Sequence, residues 1–256
     1  MRMIQLEVVP CILAVFLVGV ASSAMAAPLD ILIFKKAQFT QQQQQQICVE
    51  AKILCPSISE WRSIIGHDQT FWILSQDRIA QFKRSASGIQ VLGQWQFPVS
   101  NLAEQNTNPS YVFPKLFPMS KNQYAVAVIH SASEMYSGGG ANIERADFYA
   151  LKTAGKTQKL ITDYPFSFDR MVRACFSEED YKRAKGICHD EDGLSLDIRP
   201  IQPMLWQFRY RYNSSISPAS DSGEQSYRDS RNLNIHLNRV PKQPDIPDAW
   251  NYAGIE

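Results

Sequence analysis

The stretch Met204-Leu-Trp-Gln-Phe-Arg-Tyr-Arg-Tyr212 decides the fold class. Trp206, Phe208, Tyr210 and Tyr212 recur at every second position, with Gln207, Arg209 and Arg211 between them. Successive side chains of a strand point to opposite faces, so this run sets four aromatics against a core and three polar groups towards water. Residues 233–238 repeat the pattern, with Leu233, Ile235 and Leu237 alternating with Asn234, His236 and Asn238.

Working back along the chain, the period of two persists. Residues 124–130, 146–151 and 158–164 read as strands, and Thr153-Ala-Gly-Lys156 as the turn between the last two. Residues 71–74, 79–82 and 89–97 repeat the scheme around Ser85-Ala-Ser-Gly88, and residues 29–34 alternate as an opening strand. Two antiparallel meanders predict a mostly β chain, folded as a sandwich or an irregular stacked-sheet domain. An incomplete β-propeller is the alternative, because the two triplets could be successive blades.

Two short helices complete the expectation. Thr40 can cap a polar helix beginning with Gln41 to Gln46. Ser177 can cap a second one, in which Glu178, Glu179 and Asp180 fill the first turn and Lys182, Arg183 and Lys185 the last. Acid at the start and base at the end both complement the helix dipole.

The first 26 residues read as a cleaved signal peptide. Arg2 is followed by an apolar run over residues 8–21, then by Ser22-Ser-Ala-Met-Ala26, with small residues at −3 and −1 of a cut before Ala27. The run is shorter than the roughly 20 residues a membrane helix needs. Residues 27–256 then form a single domain, and no later apolar run is long enough for membrane insertion. The expected location is the periplasm or outside the cell. Arg2 and Glu7 leave together, so the formal charge stays at +1, without the basic excess of a nucleic-acid binder.

Cys11 would leave with the signal, so Cys48, Cys55, Cys175 and Cys188 remain. An even count in an oxidising compartment predicts two disulfides. Three pairings are open, and sequence proximity favours Cys48–Cys55 and Cys175–Cys188.

The most distinctive local string is Tyr136-Ser137-Gly138-Gly139-Gly140-Ala141, inside what reads as an insertion over residues 131–143. Its glycines could expose backbone N–H groups to an anion or a carbonyl, which makes Tyr136, Ser137, Gly138, Gly139 and Gly140 the candidate binding residues. The plainer reading is a flexible hairpin excursion. His130, Ser131 and Ser133 stand beside it, but the chain has no G-x-S-x-G elbow, and adjacent strand residues face opposite ways. No catalytic residue is therefore assigned.

Cys188-His-Asp-Glu-Asp-Gly193 concentrates possible ligands, yet lacks both the paired thiolate spacing of zinc and the spacing of a calcium loop. It reads as a solvated acidic loop, and no metal or cofactor is expected. Residues 213–231 read as a long polar loop. Loops on a rigid β scaffold commonly carry recognition, so the expected role is a non-catalytic module that binds another envelope or secreted protein, such as an inhibitor, immunity or assembly factor. The alternative is an exported hydrolase with a site assembled from scattered residues around His130 or His189.

Overall fold

The alternating aromatics do line a core. In the computed structural model, which describes residues 29–51, 55, 58–66, 68–99 and 110–250, Trp206, Phe208, Tyr210 and Tyr212 are all buried. The expected signal peptide lies outside the described residues.

Strands are numbered in chain order. The larger sheet runs β1 (Leu32–Ile33), β8 (Lys115–Ser120), β9 (Gln123–Tyr136), β10 (Gly139–Leu151), β11 (Thr157–Arg173), β12 (His189–Gln202), β13 (Leu205–Ser215) and β14 (Tyr227–His236), with β7 (Ser110–Val112) also beside β9. The smaller sheet runs β2 (Lys35–Lys36), β3 (Arg62–Ile65), β4 (Thr70–Ser75), β5 (Arg78–Ser85) and β6 (Gly88–Gln96). Every pairing is antiparallel. The two meanders lie in two stacked sheets and not in radial blades, so the sandwich-like expectation holds and the propeller alternative does not.

Alternation explains the layering. Trp72 and Leu74 of β4 face the larger sheet, where they pack with Val126, Val128 and Tyr149. Phe71 and Ile73 point the other way, onto Ile47 of α1 (Gln41–Glu50) and onto Trp61. Thr40 and Gln43 form the reciprocal capping box that starts α1. The opening strand is split: Leu32 and Ile33 pair with β8 in one sheet, and Lys35 and Lys36 pair with β3 in the other.

On its far face the larger sheet curls back on itself around the main core. Trp206 lies 5.6 Å from Phe117 and 5.7 Å from Phe148 between ring centroids, and its Nε1–H donates to the Pro118 carbonyl at 2.8 Å. Fully burying one such apolar side chain stabilises by roughly 1.5–3 kcal/mol. The proline-rich segment after β14 returns to the same core: Trp250 is buried and stacks on Tyr212 at 5.5 Å.

The second helix, α2 (Glu178–Ala184), starts at the expected Ser177 cap and is bracketed by a Cys175–Cys188 disulfide with 5.1 Å between Cα atoms. Cys48 and Cys55 are unbonded thiols here. Cys55 Sγ–H donates to the Cys48 carbonyl at 3.3 Å, and burial, reinforced by Cys55, pushes the Cys48 thiol up to about 11.

Three segments expected as loops are largely strand. Residues 131–143 are the far half of a hairpin, with Ser137 and Gly138 as its turn. Residues 188–193 belong mostly to β12, and the 213–231 loop shrinks to 216–226. Each of these segments is polar on one or both faces, so the apolar alternation that marks a strand is missing, while ladder pairing to long neighbours supplies the order instead.

Candidate functional site

The β9–β10 hairpin changes character along its length. Near Val126, Val128 and Tyr149 one face of the sheet is covered by the smaller sheet. Beyond His130 and Ser131 that cover ends, and residues 133–137 are exposed. Cross-strand register then lays out polar rows over the bare face. Ser133, Asn142, Asp169, Gly193, Asn213 and Arg228 stand side by side on six neighbouring strands. A second row parallel to it carries Met135, Gly140, Met171 and Glu191.

Two cavities open above these rows. One of about 420 Å³ is lined by Met135, Gly139, Gly140, Met171 and Glu191, and the other, of about 680 Å³, by Ser195, Arg211, Arg228 and Ser230. Both include Asp169, Gly193 and Asn213, so they form one groove. It is apolar at the methionine end and basic at the arginine end. Gly193 forms part of the floor where the cavities meet. A methyl group added there would come no nearer than 3.7 Å to Asp169 Oδ1, an ordinary contact.

Charges along the groove are ordered from below. Glu144 accepts from the hydroxyls of Tyr111, Ser131 and Ser167 at 3.0, 3.3 and 2.7 Å. Burial, and then the charge of Glu144, raises the pKa of Asp169. Arg228 Nε–H donates to Asn213 Oδ1 at 2.9 Å. On the core side, buried Asp192 takes Arg170 Nη2 at 2.5 Å and the Tyr212 hydroxyl at 2.8 Å, which locks β11, β12 and β13 together.

Of the expected binding residues, Gly139 and Gly140 line the groove, whereas Tyr136, Ser137 and Gly138 lie at the hairpin tip outside it. The glycines are explained by close approach. A Cβ at Gly139 would fall 1.9 Å from the Met171 carbonyl oxygen, and one at Gly140 would fall 2.8 Å from Met135 Sδ. Both residues are paired on both sides in the sheet, and Gly138 O accepts from Arg173 N–H at 2.6 Å. The string is a tightly packed hairpin end, not the flexible excursion the sequence suggested.

The acidic string is likewise built into strand. Asp190 accepts from Ser217 N–H at 2.7 Å and from the Ser220 hydroxyl at 2.8 Å, which ties down the 216–226 connection. Glu191 lines the groove on the opposite face from Asp190. Among the described residues, no group of three or more His, Cys, Asp or Glu side chains is placed to hold a metal ion.

His130 belongs to a separate cluster. Its Nε2 lies 3.5 Å from Asp147 Oδ2, which also takes Lys159 Nζ at 2.7 Å and the Tyr149 hydroxyl at 3.3 Å, while Asp163 N–H donates to Oδ1 at 2.9 Å. Burial works to raise the Asp147 pKa. Hydrogen bonds from His130, Lys159 and the Asp163 amide, with the Lys159 charge, outweigh it and hold the carboxyl well below the usual carboxylate range. Ser131 is turned to Glu144, Ser133 lines the groove, and His189 stands opposite Arg173 at the start of β12.

Sequence reasoning missed Asp147, Asp169 and Gly193. Asp147 did carry a signal, as a single charge in Ala146-Asp-Phe-Tyr-Ala150. Asp169 and Gly193 carry none, since only the strand register makes them neighbours. Compared with protein-family models, curated proteins and solved structures, the chain matches none.

Proposed function

We propose that the chain is a non-catalytic protein-binding module, exported to the periplasm or beyond, that holds an extended segment of another envelope or secreted protein in the groove above Gly193. The observation that carries this reading is the uncovered half of the sheet face, where two cavities merge over a shared floor. Large exposed apolar side chains gather at the same end: Met135 is 85% exposed and Phe176 73%, with Met171, Tyr181 and Ile187 also exposed. Clustered exposed apolar surface beside polar groups is how interaction sites differ from scattered surface hydrophobics. The Cys175–Cys188 disulfide at that end fits an oxidising compartment.

Gly193→Leu tests the reading, because its Cβ meets only ordinary contacts while the rest of the side chain fills the groove. The tagged mature chain is used to capture proteins from the envelope fraction of the source organism. The wild type should retain one stoichiometric partner, and Gly193→Leu should lose it with an unchanged melting temperature. Equal capture by both forms removes the groove from the argument.

The His130–Asp147 pair favours a second reading, an exported hydrolase. Four donors already crowd Asp147, which suits an anchor between β9, β10 and β11 as well as it suits chemistry. Turnover of ester, peptide or glycan substrates by the wild type, abolished in His130→Ala, would establish the hydrolase. Absence of turnover leaves His130 to the anchor.

A further inference from the structure

We infer that the outer face of β12, β13 and β14 binds an extended anionic glycan, one that carries carboxylate or sulfate groups along its length. The residues that alternate with the buried aromatics of β13 decide this. Gln207, Arg209, Arg211 and Asn213 leave the strand on the side opposite Trp206, Phe208, Tyr210 and Tyr212. Strand register sets Arg228 of β14 beside Asn213, and Arg199 of β12 beside Gln207. The four arginines therefore follow one diagonal, in the order Arg228, Arg211, Arg209 and Arg199. With a rise of about 3.4 Å per residue and strands about 4.8 Å apart, neighbours on it stand about 7–8 Å apart and the whole spans about 22 Å.

The charge of that diagonal is not cancelled from within. In the four cross-strand rows from Gly193 to Arg199, Asp197 is the one acid. Its carboxylate lies 3.2 Å from Arg199 Nε and 3.9 Å from Arg211 Nη2, and Arg209 stands opposite it across the strands. Arg228 Nε–H is held by Asn213 Oδ1, a neutral partner that leaves its charge in place. Four cations thus face one carboxylate, in a chain whose formal charge is only +1. Arg199, Arg211 and Arg228 are exposed, and Arg209 is half-buried.

The neighbours of the arginines narrow the ligand. Ser195, Gln207, Asn213, Ser230, Asn232 and Asn234 fill the positions around them, so the face offers hydrogen bonds to hydroxyl groups as well as charge. All four cations are arginine, whose planar fork grips carboxylates and tetrahedral oxyanions through two N–H groups at once. A single-stranded nucleic acid would stack its bases on aromatic side chains, and all four aromatics of β13 point into the core. A membrane surface requires apolar side chains to insert, and these four rows hold none. An extended acidic peptide gains its affinity from a free strand edge or from side-chain pockets. Arg199 and Arg209 sit on strands paired on both sides and line neither cavity of the groove. A sugar chain needs no stacking platform, no insertion and no backbone ladder.

The diagonal starts in the groove, which Arg211 and Arg228 line, and leaves it at Arg209. The glycan site therefore stands whether or not the groove holds a protein segment.

Calorimetric titration of the purified mature chain with heparin, polygalacturonate and neutral dextran tests the inference. Heparin carries sulfate and carboxylate, and polygalacturonate carboxylate alone, so the pair also tells which anion the arginines take. The wild type should bind at least one of the two, lose affinity as salt rises, and ignore dextran. Arg199→Gln combined with Arg209→Gln should weaken binding by about tenfold or more, as expected for the loss of charge-assisted hydrogen bonds. The same double change should leave the melting temperature, and any partner captured by the groove, unaffected. Asp197→Asn should tighten glycan binding by about two- to fivefold, because it removes the acid that competes for the arginines. Misfolding cannot mimic that gain. Binding of neither glycan overturns the inference. So do binding indifferent to the double change, binding weakened by Asp197→Asn, and equal affinity for polyglutamate or for oligothymidylate.

Discussion

Replacing Gly139 by alanine asks whether the hairpin tip is glycine-rich for packing or for ligand contact. The added methyl would lie 1.9 Å from the Met171 carbonyl oxygen and 2.9 Å from its carbon. Unstrained carbon contacts fall at about 3.5–4.0 Å, so one of the two strands must shift by more than about 1 Å. β11 has nowhere to go, because Met171 is paired on its other side with Glu191 of β12. Forced overpacking costs roughly 1–3 kcal/mol, and losing the Arg173 N–H to Gly138 O bond adds about 1. The expected total of about 2–4 kcal/mol corresponds to a melting temperature lower by roughly 4–16 °C for a domain of this size. Gly138→Ala is the matched control. Nothing lies within 4 Å of its Cβ position, so its stability should stay within about 0.5 kcal/mol of the wild type. Thermal and urea unfolding of the two variants, followed by circular dichroism, gives the comparison. Equal stability of Gly139→Ala and Gly138→Ala would refute the close-approach argument.

Three further outcomes follow from buried charge and cross-linking. Tyr212→Phe removes one of the donors to buried Asp192 while keeping the ring that stacks on Trp250, and should cost about 1–3 kcal/mol in urea unfolding; no loss would mean that Arg170 satisfies Asp192 alone. The Cys175→Ala, Cys188→Ala double variant should lose about 3 kcal/mol on the chain-entropy model of so short a loop. Limited proteolysis should then cut first between 175 and 226, since α2 and the 216–226 connection share the small core of Cys175, Ala184 and Ala219. Asp147 sets an acid limit: a carboxyl with a depressed folded pKa contributes stability above its unfolded pKa, about 3.9, and loses it as pH falls towards the folded value. Unfolding free energy measured from pH 6 downward should fall below about pH 4, and Asp147→Asn should flatten that fall; parallel curves would sink the assignment.

The fold was legible wherever one face of a strand meets a core. Trp206, Phe208, Tyr210 and Tyr212 announce β13 because every second side chain is buried. Ser177 and Thr40 announce helix starts because a hydroxyl before a helix-forming run can take an orphan N–H, and both do so. Legibility failed in Ser131-Ala-Ser-Glu134 and in residues 188–193, where no apolar stripe marks the strand. These segments are strands because long neighbours supply a ladder to pair with, and pairing is a property of distant residues. The candidate site suffers the same limit more severely. Asp169, Gly193 and Asn213 are separated by 24 and 20 positions and become neighbours only through the register of β11, β12 and β13. The three glycines drew the eye to the right hairpin, but for a different physical reason: Gly139 makes room for a neighbouring strand and only then borders a groove.

That dual role links the scaffold to its proposed task. A sheet buried on both faces needs apolar residues throughout, and residues 125–129 at the covered end of β9 are indeed all buried. At the far end the same strands keep one face on the core through Ile143, Phe168 and Leu194, and turn Asn142, Asp169 and Gly193 to the bare side. Strand order there rests on one core face, on the Asp192–Arg170–Tyr212 bonds and on the disulfide-bracketed α2. These supports lie on the core side or at the strand ends; on the bare face itself the Glu144 cluster and the Arg228–Asn213 bond tie strands together, and Gly193 has no side chain to take part in either. Substitutions on that face, such as Gly193→Leu, should therefore alter recognition at little cost in stability, whereas substitutions at Tyr212 or Gly139 should cost stability first and recognition only as a consequence.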